Sequence, residues 1–177
     1  MKIGLDLDGV LYPWHEGVHT YFRMYRNYVG SEFKFWTEYW PSLPDTTHAY
    51  MQSLTDLYYK FIPETDMLDM LKRLSKKHEL FYVTSRPESA RAITELFLRN
   101  FKFPYKENLI LATNKGLVAR DLSLDILVDD MTPNLIGIPK NTIGVLVNKP
   151  WNSDYDFPVR ITNILELEQM VNHRRRN

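Results

Sequence analysis

The sequence predicts a doubly wound α/β protein: a parallel sheet covered by helices, with a small helical cap inserted after the first strand. Three observations carry this reading. Short segments rich in aliphatic and β-branched residues run continuously apolar instead of alternating, as strands do when both faces are covered. Stretches between them place apolar residues at helical spacing. The region from Tyr12 to Pro63 holds 15 of the chain's 24 aromatic residues and no clear strand. Strand, helix, strand in that order leaves a right-handed, Rossmann-like winding as the economical topology.

The predicted strands are Lys2–Leu7, Glu79–Val83, Asn108–Leu111, Ile126–Val128, Thr142–Val147 and, more weakly patterned, Val159–Thr162. Met67, Leu68, Leu71 and Leu74 fit one face of a helix, and Ile93, Leu96, Phe97 and Phe101 fit another. Ser85 stands three residues before Glu88 with Pro87 between, a spacing that starts a helix directly after the second strand. Asn163 precedes Glu166 in the same way, and Thr132-Pro133 marks a further short helix. Some fifty residues separate the first strand from the second, far more than a crossover needs. Residues 1–12 and 64–177 are therefore expected to form the core, and 13–63 the aromatic-rich cap.

Composition narrows the function. The 177 residues suit one domain, and 44% apolar with 25% charged residues is a globular composition, not a disordered one. Twenty-two basic residues balance 22 acidic ones, so no global positive field argues for a nucleic-acid or membrane partner. Cys is absent, which excludes disulfides, thiolate metal sites and cysteine nucleophiles. With acids already at Asp6 and Asp8 the N-terminus does not read as a signal peptide, and a cytoplasmic protein is expected.

Chemistry-bearing residues follow the strands. Asp6-Leu7-Asp8-Gly9-Val10 ends the first, where α/β proteins place their ligands. Period-two geometry turns Asp6 and Asp8 to one side, and two such charges favour a hard, oxygen-ligated cation between them. Asp129-Asp130 ends another strand, and an N-cap role is the plain alternative for Asp130. Thr84-Ser85 offers hydroxyls at a helix start, a ready anion site, although Ser85 could serve only as a cap. Lys115 follows a third strand, where solvated surface is the usual fate of a single lysine. His15 and His19, four apart, read as surface residues.

Acid pair, hydroxyls, lysine and acid pair, each just after a strand, make the chain resemble the haloacid-dehalogenase-like phosphatases. Within them, LDLDGVL, TSRP and the aromatic insert look like the 5'(3')-deoxyribonucleotidase group. The resemblance implies a magnesium-dependent phosphomonoesterase working through an aspartyl-phosphate. Asp6 would be the nucleophile and Asp8 the acid and base; Asp6, Asp8, Asp129 and Asp130 would hold Mg2+. Gly9, Thr84, Ser85 and Lys115 would surround the phosphate, and Trp14, Phe22 and Tyr25 are the aromatic candidates for substrate contact. The substrate would be small, a nucleoside monophosphate; neither a stable nucleic-acid partner nor a membrane is expected, and a homodimer stays open.

Departures from the group's pattern are Arg86 between Ser85 and Pro87, a long interval from Lys115 to Asp129, and Tyr12-Pro13-Trp14 after the first motif. The alternatives are a phosphatase of sugar phosphates or polynucleotide ends, a receiver-like phosphoacceptor, and a catalytically silent phosphate-binding module. A receiver fits poorly, because its acceptor acid follows a middle strand. Neither a GxxxxGK[ST] loop nor GxGxxG, HExxH or GxSxG occurs.

Overall fold

The computed structural model describes residues 1–54 and 62–174; Tyr58, Tyr59, Phe61, Arg175 and Arg176 lie outside them. Six strands, β1 (Lys2–Leu5), β2 (Glu79–Thr84), β3 (Leu109–Leu111), β4 (Ile126–Asp129), β5 (Ile143–Val147) and β6 (Arg160–Ile161), form one all-parallel sheet in the order β3-β2-β1-β4-β5-β6. Order reverses beside β1, between the half wound through β2 and β3 and the half wound through β4, β5 and β6. A crevice opens at such a reversal, outside the carboxyl ends of the strands.

Side-chain alternation explains the continuous apolar runs. Ile3 and Leu5, Leu80 and Tyr82, Ile126 and Val128, and Val145 and Val147 enter one core layer. Phe81, Val83, Leu127 and Leu146 enter the other, with Ala119, Leu124 and Leu135. Each buried Val, Leu or Ile contributes roughly 1.5–3 kcal/mol of apolar transfer, so both layers favour the same register. Gly4 interrupts the pattern because Leu124 and Leu127 occupy its place: a Cβ there would lie 2.6 Å from Leu124 Cδ1.

The larger layer is covered by α5 (Thr65–Ser75), which buries Met67, Met70, Leu71 and Leu74, and by α6 (Arg91–Asn100), which buries Thr94, Phe97 and Leu98. Leu96, placed by periodicity on the inner face of α6, points outward instead. On the opposite face lie α7 (Lys115–Asp121) and α8 (Thr132–Leu135), the latter opening at Thr132-Pro133 as expected. At the start of α9 (Glu166–Arg174) the Asn163 amide donates to Glu166 Oε1 at 3.0 Å, and the Asn163 side-chain oxygen accepts from the Leu165 amide at 2.9 Å.

Three local expectations are corrected. β1 stops at Leu5, not Leu7, because the Leu7 carbonyl gathers the amides of Val10, Leu11 and Tyr12 into a tight turn. Ser85 caps no helix: the helical path starts at Glu88 after extended Pro87, and the Ser85 hydroxyl donates to the Ala112 carbonyl at 3.4 Å. Strand β6 is only two residues long.

After β1 the chain forms α1 (Trp14–Tyr25), α2 (Glu32–Lys34), a π-turn over Phe35–Tyr39, α3 (Trp40–Ser42) and α4 (Asp45–Ser53). No strand interrupts this stretch among the described residues. The aromatic rings are its core. Phe35, fully buried, has its centroid 5.2 Å from that of Phe22, 5.1 Å from Tyr28 and 4.9 Å from Trp36. Helical packing reaches the sheet through Trp36, 5.6 Å from Trp151 in the turn Pro150–Asn152 after β5. Lys149 bonds Glu16 of α1 at 3.0 Å in the same area.

Candidate active site

The carboxyl ends of β1, β2 and β4 lie level, with Leu5 opposite both Tyr82 and Val128. That register brings Asp6, Thr84 and the pair Asp129-Asp130 to one rim. Asp6, Thr84 and Asp130 line a cleft of about 140 Å³ with Asp8, Ser85, Arg86, Lys115, Trp14 and His15, and Asp129 lies buried behind it. Residues scattered over most of the sequence meet there, as the strand-end positions predicted.

One carboxylate oxygen from each of Asp6, Asp129 and Asp130 falls within 4.8 Å of the others, and all three residues are buried. Lys115 answers this charge. Its ammonium lies 2.8 Å from Asp6 Oδ1 and 2.7 Å from Asp129 Oδ2, and the residue is 2% exposed. The solvated surface usual for a single lysine does not hold here: α7 begins at Lys115 and turns its side chain inward to the acids. Burial alone would lower the ammonium's pKa, but Asp6 and Asp129 outweigh it and hold the group above its ordinary value. Asp6 is pushed up to about 7, chiefly by burial, with Lys115 opposing and Asp129 and Asp8 adding to the rise.

The individual oxygens differ. Asp129 is saturated, receiving Lys115, the Met131 amide and both contacts of the Asn134 side-chain amide. Asp6 Oδ1 accepts from Lys115 and from the Leu7 amide, and none of the described contacts falls on Oδ2. Asp130 Oδ2 accepts from the Trp151 indole at 2.9 Å, with His15 Nδ1 3.8 Å away, while its Oδ1 is buried without a partner. An orphaned carboxylate oxygen among three buried acids makes a set of hard oxygen donors that could hold a divalent cation. The N-cap alternative for Asp130 fails, since Met131 precedes α8 and Asp130 caps nothing there.

Gly9 is fixed by the same carboxylate. At φ +86° its absent Cβ would sit 2.3 Å from Asp130 Oδ2. Gly9→Ala should therefore destabilise the fold by more than about 2 kcal/mol and displace the Asp130 carboxylate. Thermal unfolding with and without magnesium checks both effects; an unchanged midpoint and an unchanged response to magnesium would contradict the packing. The Gly9 amide donates to the Tyr12 carbonyl at 2.8 Å, and the residue lines a groove beside the cleft.

The remaining expectations divide. Thr84 is buried at the cleft, its hydroxyl accepting from the Arg86 amide at 3.2 Å, and Ser85 lies exposed at the rim. Asp8 shares the cleft with Asp6, but its carboxylate turns to Arg86 and takes no place in the acid triad. Trp14 lines the cleft. Phe22 belongs to the aromatic core, and Tyr25 is 67% exposed at the far end of α1; neither lines the cleft. His15, read as surface, stands in the cleft wall against the rings of Trp36 and Trp151, and burial pushes its pKa down to about 4.

Sequence reasoning missed Arg86, Asn134, Trp151 and Asn152. Asn152 ties its own turn to the Asp130 and Val147 carbonyls and so fixes Trp151 over Asp130. Only Arg86 carried a signal, as an extra residue between the hydroxyl pair and the proline.

Comparison with known proteins agrees with this geometry. The family model described as "5' nucleotidase, deoxy (Pyrimidine), cytosolic type C protein" matches residues 1–176. A nucleotidase of Clostridium acetobutylicum is 25% identical over 159 residues, covering 83% of this chain and 79% of that protein. Among solved structures, a haloacid dehalogenase-like hydrolase from Streptococcus pneumoniae superposes with a TM-score of 0.63 at 16% identity, over 96% of this chain and 97% of the other. The L-2-haloacid dehalogenase of Xanthobacter autotrophicus gives 0.56 at 10% identity, over 97% and 98%. At such identities the structures establish a shared fold.

Proposed function

The chain belongs to the 5' nucleotidase, deoxy (pyrimidine), cytosolic type C family, phosphatases of haloacid-dehalogenase-like fold, and on that premise we propose that it is a magnesium-dependent nucleoside monophosphatase acting through an aspartyl-phosphate. The observation that carries the reading is the buried triad Asp6, Asp129 and Asp130 with its orphaned Asp130 Oδ1, joined to Lys115 in one cleft. Asp130 Oδ1 and Asp6 would hold the cation directly, together with the Asp8 carbonyl that the family resemblance supplies. Asp129, already saturated, would orient Lys115 and reach the ion through water. Bound there, magnesium supplies charge neutralisation for the phosphoryl oxygens.

The protein's own groups perform the transfer. A carboxylate oxygen of Asp6 attacks phosphorus, forming the Asp6–phosphate bond as the bond to the ester oxygen breaks, and the departing alkoxide takes a proton from protonated Asp8. Water then attacks the phospho-aspartate, gives its proton to Asp8 and releases inorganic phosphate, which restores Asp6. Thr84 and Lys115 hold phosphoryl oxygens during both displacements. The cleft suits the phosphate end of the substrate, since ligand pockets for whole small molecules run from roughly 300 Å³ upward. The nucleoside would extend past Trp14. The family description makes the cytosol the expected site of action.

Phosphate release from deoxyribo- and ribonucleoside 5'- and 3'-monophosphates, sugar phosphates and 5'-phosphorylated oligonucleotides, with magnesium or with EDTA, tests the proposal. Magnesium-dependent release from mononucleotides, with oligonucleotides poorer, is expected. Preference for oligonucleotides or sugar phosphates overturns the substrate assignment, and undiminished turnover in EDTA overturns the metal assignment.

A further inference from the structure

Arg86 lines the cleft, yet the proposed chemistry gives it no task. An arginine beside a phosphate-handling hydroxyl ordinarily binds phosphate, because its planar fork matches that group. Here the fork is committed elsewhere. Nε donates to Asp8 Oδ2 at 2.8 Å and Nη2 to Asp8 Oδ1 at 2.5 Å. Nη1 donates to Thr94 Oγ1 on α6 at 3.0 Å, and the Thr94 hydroxyl in turn donates to the Ala90 carbonyl at 2.8 Å. The guanidinium carbon lies 5.1 Å from the centroid of the buried Tyr12 ring. The side chain is fully buried, whereas that of Asp8 is 17% exposed.

We propose that Arg86 is the positioning residue of Asp8, locking the proton-transferring carboxylate at the cleft, and that it does not bind the phosphate. This rests on the phosphatase reading above. Asp8 sits in the turn beyond the end of β1, outside the regular ladder, so its carboxylate needs an external hold. Arg86 provides it, backed by α6 through Thr94 and by the Tyr12 ring. A carboxylate has about four lone-pair sites, and a bidentate fork takes one on each oxygen. An outer site stays free to carry the proton that passes to the leaving alkoxide and, once emptied, to accept one from the attacking water. Position matters here because a displacement of about 1 Å in a reacting group costs on the order of 100-fold in rate.

The test compares wild type, Asp8→Asn, Arg86→Met, Arg86→Lys, Thr94→Val and the doubles with Asp8→Asn on the mononucleotide the wild type hydrolyses fastest. Arg86→Met should lower kcat by about 100-fold and leave KM within about threefold. Arg86→Lys should recover little, since one ammonium cannot form the fork. The double Asp8→Asn/Arg86→Met should be no slower than Asp8→Asn alone, because both changes remove one function. Thr94→Val, a near-isosteric change that carries the test if Arg86→Met does not fold, should lower kcat several-fold, and that loss should vanish in the Asp8→Asn background. Losses that multiply in the doubles, or a tenfold rise in KM and in the inhibition constant of inorganic phosphate with kcat retained, would overturn the proposal and leave the hydrolase reading standing. A wild type inactive on every ester would remove the hydrolase reading, and this role with it.

Discussion

Asp6→Asn should lower phosphate release by at least about 10⁴-fold while the protein stays folded, because the amide is isosteric with the carboxylate but cannot form the acyl-phosphate bond. The alternative of a merely structural acid predicts the opposite balance, with activity surviving and stability falling. Asp6 gives a second, independent reading through pH. Burial first, then its acidic neighbours, raise its pKa from the ordinary 3.8 to about 7 in the metal-free protein. A carboxyl with a raised folded pKa binds more protons folded than unfolded, so its contribution to stability declines as pH rises from about 4 to about 7. Asn binds none. In EDTA, the thermal midpoint of Asp6→Asn should therefore gain on the wild type progressively across that window and be at least equal to it at pH 7. A midpoint that falls equally below wild type at pH 5 and pH 7 would show that Asp6 is not the desolvated acid described here.

How much of this was legible in the sequence depends on how local the cause is. β1, β2 and β4 could be read because both faces of each strand meet a core layer, and that leaves a continuous apolar run. Asp6, Thr84 and Asp129 could be read because each stands where such a run ends. The level of those ends was not written in any one segment, and it follows from the pairing of Leu5 with Tyr82 and Val128. Trp151 is 21 residues beyond Asp130 and reaches it only because Asn152 folds the turn after β5 back over the rim. No spacing announces such a contact. His15 misled for the opposite reason: a helical i, i+4 histidine pair looks like surface until the wall it stands in, Trp36 and Trp151, is assembled from distant parts of the chain. Among the aromatic residues, Trp14 reached the cleft and Phe22 did not, although both are buried in α1. Helix phase sets that difference, and it needs the position of α1 on the core, which composition does not contain.

The identity of the cleft as a charge-balanced site is tested most severely at Lys115. Lys115→Met keeps much of the side-chain volume and removes the ammonium that lies within hydrogen-bonding distance of Asp6 and Asp129. Breaking a buried ion pair by deleting one partner costs about 3–5 kcal/mol, because the remaining charge stays desolvated. In a protein of this size that corresponds to a midpoint lower by roughly 10 °C. Two responses separate this cause from simple loss of packing. Lower pH should restore much of the stability, since the carboxylates left without a counter-charge take up protons more readily than in the wild type. Magnesium should also raise the midpoint more in Lys115→Met than in the wild type, because the ion then replaces the counter-charge that the ammonium gave the three clustered acids. A variant that is destabilised equally at every pH and answers magnesium no better than wild type would mean that Lys115 fills space between α7 and the strands, and that the acids are neutralised without it.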